Sequence, residues 1–96
     1  MTTYNVVRFK VKPGMEREFL MAHGPGKINW PGLRQGTIVE IGESAYCLIG
    51  EWQDAQALKK AMPYMTATLD TVRHTLVPGE TGVTDAVSGP AVIALA

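Results

Sequence analysis

His23 and His74 are the only two histidines in the chain, and histidine is the one side chain whose ordinary pKa lies near neutrality. Proton transfer near pH 7 therefore starts with them. His23 precedes a glycine-rich loop, where an imidazole serves either as a general base or, more plainly, as a cap on the helix that ends there. His74 follows Asp70 by one helical turn, a spacing that reads first as a solvated surface pair. Two histidines with no neighbouring Cys or His make no metal signature, so no metal is expected. Cys47, alone and mid-strand, reads as an inert buried residue. Tyr64 offers a hydroxyl that can donate to a substrate oxygen. Asn5 offers an amide that, on a buried face, needs a partner which a ligand can supply. Phe9, Trp30, Trp52, Met65, Leu69 and Arg73 are the candidates for a substrate-binding wall, with Arg73 able to meet an anion or simply to pair with Asp70. Methionines at helical spacing are ordinary core, and a tryptophan that ends a strand is ordinary core too. Gly24, Gly26 and Gly32 form no phosphate-binding fingerprint, and no cofactor is expected.

These residues have to be positioned by secondary structure, and the order of elements is readable. Residues 4–11 alternate as a strand, with Asn5, Val7, Phe9 and Val11 on one face. Pro13-Gly14 ends it, and residues 15–23 form a short amphipathic helix with Met15, Phe19 and Ala22 at helical spacing. Residues 33–41 and 45–52 read as a β-hairpin around Gly42-Glu43-Ser44, with Leu33, Val39 and Ile41 on one face and Ile38 on the other. Asp54 stands where an N-cap belongs. Leu58, Met62, Met65, Leu69, Val72 and Leu76 then step by four and three, one apolar helical stripe. Pro63 removes an intrahelical hydrogen bond, so the stripe is expected as two helices, the second starting at Pro63. Residues 81–88 suit a fourth strand, Gly89-Pro90 a break, and 89–96 an apolar arm. On these helices His23 follows Phe19 by one turn on the buried side, whereas His74 faces away from the stripe. The base is therefore expected to be His23.

The order β-α-β-β-α-β is the split βαβ, ferredoxin-like α+β arrangement in one domain over residues 1–96. At 96 residues, with 46% hydrophobic and 19% charged, the chain suits one folded core rather than disorder. Nine Lys+Arg balance nine Asp+Glu, which argues against a nucleic-acid partner. One cysteine forms no intrachain disulfide, no run approaches the ~20 apolar residues of a membrane span, and the first residues lack signal-peptide character. A cytoplasmic protein without a membrane partner is expected. A sheet with both helices on one face leaves the other bare, and the tail from Ala91 to Ala96 carries no charge. A homodimer is the simplest cover for both.

The run Val6-Val7-Arg8-Phe9-Lys10-Val11-Lys12-Pro13-Gly14, followed by Glu16-x-Glu18-Phe19, resembles the opening of antibiotic biosynthesis monooxygenase-like domains of the dimeric α+β barrel superfamily. Pro31-Gly32-Leu33, Glu51-Trp52-Gln53-Asp54-x-x-Ala57-Leu58 and Pro63-Tyr64 are similar to their later motifs. The resemblance covers roughly residues 4–77 and implies two sheets paired into a barrel, with a small-molecule pocket between sheet and helices in each subunit. Among the activities of that superfamily, haem degradation is not expected. Asn5 lies two residues too early for the haem degraders' pattern, Ala61 stands at their tryptophan position, and His74 is displaced by one. The resemblance implies a small cofactor-independent monooxygenase of a phenol or quinol. The alternatives are a non-redox isomerase or mutarotase and a ligand-binding dimer without catalysis. His23, Tyr64 and Asn5 are the expected catalytic residues.

Overall fold

The structure, a computed structural model, describes residues 1–80 and 82–96. It runs β1 (Thr3–Lys10), α1 (Glu16–Ala22), β2 (Leu33–Gly42), β3 (Ala45–Trp52), α2 (Ala55–Val72), a 3-10 turn (Arg73–Thr75) and β4 (Asp85–Pro90). The four strands form one antiparallel sheet in the order β2-β3-β1-β4, the ferredoxin-like βαββαβ topology. Both helices cover the same face. There β1 and the residue after it contribute Phe9 and Val11, β3 contributes Tyr46, Leu48 and Trp52, α1 contributes Phe19, and α2 contributes Leu58, Ala61 and Val72 to a single core.

Local chemistry explains the element ends. The Asp54 carboxylate accepts the Ala57 backbone N–H at 2.8 Å, the N-cap expected for α2. α1 has no side-chain cap at Met15. The Glu16 carboxylate reaches back instead to accept the Gly14 N–H at 2.8 Å and the Ser44 hydroxyl at 2.5 Å. Ser44 holds a left-handed φ of 55° in the β2–β3 turn, so this contact pins that turn to the start of α1. Gly32 is the pivot between the loop and β2: its φ is 86°, and a Cβ there would lie 3.0 Å from the Ala57 Cβ.

Four details depart from the sequence reading. First, α2 is one helix, and Pro63 sits inside it rather than at a break. Pro63 and Lys59, whose carbonyl loses its donor, are both exposed residues, so the break in the ladder falls on the solvent side while Leu58, Ala61 and Val72 hold the helix down. Second, the stripe is rotated: Ala61 is fully buried, Met62 is 51% exposed, and Met65 and Leu69 are only partly covered. Third, a register shift between Leu33 and Gln35 adds one residue to β2. Leu33 pairs with Trp52 and Ile38 with Leu48, so both face the helices, while Val39 and Ile41 turn outward. Fourth, the final strand is Asp85–Pro90 and includes Gly89-Pro90, the expected break. Thr81, the expected start of that strand, lies outside the described residues. Beyond it the Ala91 N–H still bonds the Thr2 carbonyl at 2.8 Å, after which Val92, Ile93 and Leu95 are exposed.

Candidate functional site

A cavity of about 150 Å³ opens between the sheet and α2, with Asn5 and His23 both in its wall. The rest of the lining is mainly apolar: Val7 and Phe9 from β1, Leu48 from β3, Trp30 from the loop, and Met65 and Leu69 from α2. Its outer side runs past the exposed Met62 and Thr66 toward Ala86 of β4.

Asn5 is 5% exposed, and its orientation is dictated by one bond. The indole Nε1–H of Trp52 donates to Asn5 Oδ1 at 2.8 Å. An indole N–H only donates, so the amide oxygen must face Trp52 and the NH₂ must face the other way. That NH₂ has the Met65 thioether at 3.9 Å for company, a weak acceptor. Space for this arrangement comes from Gly50, which pairs with Asn5 across the β1–β3 ladder. A Cβ at Gly50 would fall on Asn5 Oδ1 and lie 2.9 Å from Trp52 Nε1.

His23 is likewise held by an acceptor-only group. Its Nδ1 lies 2.9 Å from the Phe19 carbonyl oxygen. In the neutral ring Nδ1 must then carry the hydrogen, which leaves the lone pair on Nε2. The imidazole packs on Phe19 (centroids 4.8 Å apart) and on Phe9 (6.3 Å). Trp30 is 8% exposed, stacks on Trp52 at 6.4 Å and 12°, and donates from Nε1 to Thr68 Oγ1 at 3.1 Å. The arrangement places the Asn5 amide and the His23 imidazole, with the hydroxyls of Thr66, Thr68 and Thr84, in a mainly apolar hollow. It can bind a flat apolar molecule through a single oxygen and take its proton.

Of the residues expected at the site, Asn5, Phe9, His23, Trp30, Met65 and Leu69 meet on this one cavity. Three do not. Trp52 is fully buried behind Asn5, where it aims the amide rather than touching a ligand. Tyr64 is 51% exposed on the outer side of α2, because the helix continues through Pro63 and never turns it inward. Arg73 lies in the 3-10 turn and pairs with Asp70 at 2.8 Å on the surface. His74 is exposed and pairs with Glu18 of α1, not with Asp70. Among the described residues no cluster of His, Cys, Asp or Glu could hold a metal ion. No helix among them is long and apolar enough to cross a membrane. Leu48, Val7, Thr68 and Gly50 are site residues that the sequence reading does not single out. Leu48 and Val7 are inward positions of alternating strands, and an isolated glycine inside a strand marks a close approach.

No protein-family model and no curated protein matches the sequence. Solved structures do. A point mutant of SnoaB, a cofactor-independent oxygenase from Streptomyces nogalater, superposes with a TM-score of 0.75 at 20% identity, covering 98% of this chain and 96% of its own. A monooxygenase from the ActVA-Orf6 gene of Streptomyces coelicolor, in complex with nanaomycin D, gives 0.73 at 21% identity, covering 98% and 90%. A protein of unknown function from Nitrosomonas europaea gives 0.75 at 18% identity, covering 97% and 91%. The chain has the fold of antibiotic biosynthesis monooxygenase-like proteins.

Proposed function

We propose that the cavity is the active site of a cofactor-independent monooxygenase acting on a phenol or hydroquinone. The observation that carries this reading is that His23 and Asn5, each held in one orientation by a single hydrogen bond, line the same mainly apolar cavity. His23 Nε2 takes the phenolic proton, and Asn5 Nδ2 donates to the phenolate oxygen. The phenolate passes one electron to dioxygen, and the radical pair recombines to form a C–O bond at a ring carbon. The peroxide O–O bond then breaks as the carbon loses its hydrogen, giving a quinone carbonyl and water. One oxygen atom enters the product and the other leaves as water with two substrate hydrogens. The substrate loses four electrons and dioxygen gains four. The two oxygenases of the same fold support the reading. A sugar isomerase or mutarotase draws less support, because apolar side chains such as Val7, Phe9, Leu48 and Leu69 outnumber the threonines of the lining and leave a ring of hydroxyls few partners.

The protein acts as a homodimer in this reading, with the bare sheet face and the arm after Pro90 as the covered surfaces. Oxygen uptake in a closed cell, with phenols and hydroquinones as substrates and no added cofactor, is the direct test. Turnover is expected in the wild type, and His23→Gln is expected to lower kcat by about 10²–10⁴-fold with an unchanged unfolding midpoint. Uptake that is equal in the two proteins removes His23 from the chemistry. No uptake with any such substrate removes the oxygenase reading.

A further inference from the structure

The Asn5 amide is held between an indole and a sulfur atom. Its Oδ1 accepts from the Trp52 indole, and its NH₂ donates to the Met65 thioether at 3.9 Å. A thioether is a weak acceptor, so this contact leaves most of the donor strength of the NH₂ to a ligand in the cavity. Met65 lines that same cavity, is only partly buried, and follows by one helical turn the exposed Met62 on its outer side.

A hydroperoxide that enters the cavity can oxidise this sulfur. The S–O bond forms as the O–O bond breaks, and the displaced oxygen takes the proton that the transferred one gives up and leaves as water or an alcohol. Sulfur loses two electrons and the peroxide gains two. The new oxygen enters on a sulfur lone pair, and the Asn5 NH₂ already donates to this sulfur. A small turn of the flexible methionine side chain then sets a strong acceptor within hydrogen-bond distance of Nδ2. Resting on the active-site reading above, we propose that Met65 is a modification site through which hydroperoxides switch the cavity off. As a thioether it leaves Asn5 free to donate to the phenolate. As a sulfoxide it takes that donor and puts an electron-rich oxygen where the phenolate oxygen has to come. The amide cannot turn away, because its NH₂ would then face the Trp52 N–H.

Wild type, Met62→Leu and Met65→Leu are treated with hydrogen peroxide, and each is compared with itself before treatment. Met1, Met21 and Met62 are 51–83% exposed, so their oxidation in Met65→Leu controls for sulfoxides elsewhere. Peptide mass spectrometry follows Met65, NMR follows the Asn5 side-chain amide (identified by its loss in Asn5→Asp), and calorimetry follows phenol affinity. In wild type and Met62→Leu the amide signal is expected to move downfield, and phenol affinity to fall about tenfold, in step with Met65 sulfoxide. The two methionine sulfoxide reductases, one per epimer, are expected to reverse both changes. Peroxide is expected to shift neither reading in Met65→Leu. An Asn5 signal that stays in place at full Met65 oxidation overturns the proposal. So does a Met65 that stays a thioether once Met62 is fully oxidised, or an equal loss of phenol affinity in Met65→Leu. The expected shift and affinity loss, in a protein that takes up no oxygen, leave the switch standing and remove the oxygenase reading alone. A protein that binds no phenol before treatment removes the active-site reading and the switch with it, whatever the Asn5 signal does.

Discussion

Asn5 is aimed by two neighbours that have no other way to act: Trp52, which can only donate, and Gly50, which alone leaves room for the amide. Gly50→Ala therefore sets a Cβ against the Asn5–Trp52 bond in the tightest part of the sheet. Something must shift, and overpacking of this kind costs about 1–3 kcal/mol. The expected result is a lower denaturation midpoint together with loss of phenol binding, measured by urea titration and calorimetry. An alanine variant with wild-type midpoint and affinity shows that Asn5 is not held as described. Much of this arrangement is legible from the residues alone. Asn5 shares the inward face of β1 with Phe9, and His23 follows Phe19 by one turn, so alternation and helical periodicity place both. Sequence leaves Trp52 open between core and ligand wall, Arg73 between a pair with Asp70 and an anion site, and Tyr64 between surface and pocket, because residue type says nothing of direction; the structure takes the plainer reading each time. A large aromatic before a helix, a hydroxyl beside a proline and a cation beside a stripe each suit a ligand wall as well as a plainer place until the helix rotation is known.

Helix α1 is only seven residues long and carries no side-chain N-cap, so its start depends on the Glu16 clamp. The Ser44 hydroxyl donates to this carboxylate, and the backbone N–H groups of Glu16 and Gly14 donate as well; together they hold its pKa below the ordinary glutamate value. A carboxyl with a lowered folded pKa favours the folded state above its unfolded pKa, about 4.3, and loses that contribution as pH falls through the folded value. The urea midpoint of the wild type is thus expected to drop between pH 6 and pH 3 by more than that of Glu16→Gln. Parallel curves for the two proteins mean that the clamp does not contribute. The clamp is not readable beforehand, since it joins residues 28 positions apart in a turn whose left-handed Ser44 has no sequence mark. The same holds for β2. The alternation of its apolar residues groups Leu33 with Val39 and Ile41, and one extra residue near Leu33 puts Leu33 on the face of Ile38 instead. Pro63 misleads in the opposite sense: local chemistry predicts a break, and burial on the other face of α2 overrides it.

For the molecule as a whole, the order of elements and the covered face follow from periodicity, but what lies on the bare face of the sheet is a question for a second chain. That face carries Tyr4, Val39, Ile41, Ile49 and Val87, each between 36% and 65% exposed in the single chain. Beside it runs a tail whose Val92, Ile93 and Leu95 are 75–96% exposed. Single exposed apolar residues are ordinary, whereas a contiguous sheet face with an apolar tail is a patch of the kind that associates. A chain with no net charge offers little electrostatic resistance to that association. Ile49 is the sharpest probe, because it sits on an inner strand opposite Val6 and Thr37. In a two-fold dimer built on this face, Ile49→Lys carries an ammonium from each subunit into the seam, where desolvation costs several kcal/mol per ion and the neighbouring Glu51, already bonded to the Tyr4 hydroxyl, offsets only part of it. Light scattering at micromolar concentration is expected to give twice the chain mass for the wild type and a single chain mass for Ile49→Lys. The wild-type unfolding midpoint should also rise with protein concentration, and that of the variant should not, because association stabilises only the folded partner. A wild type that scatters as one chain, with a midpoint independent of concentration, removes the homodimer and leaves the patch to a different partner.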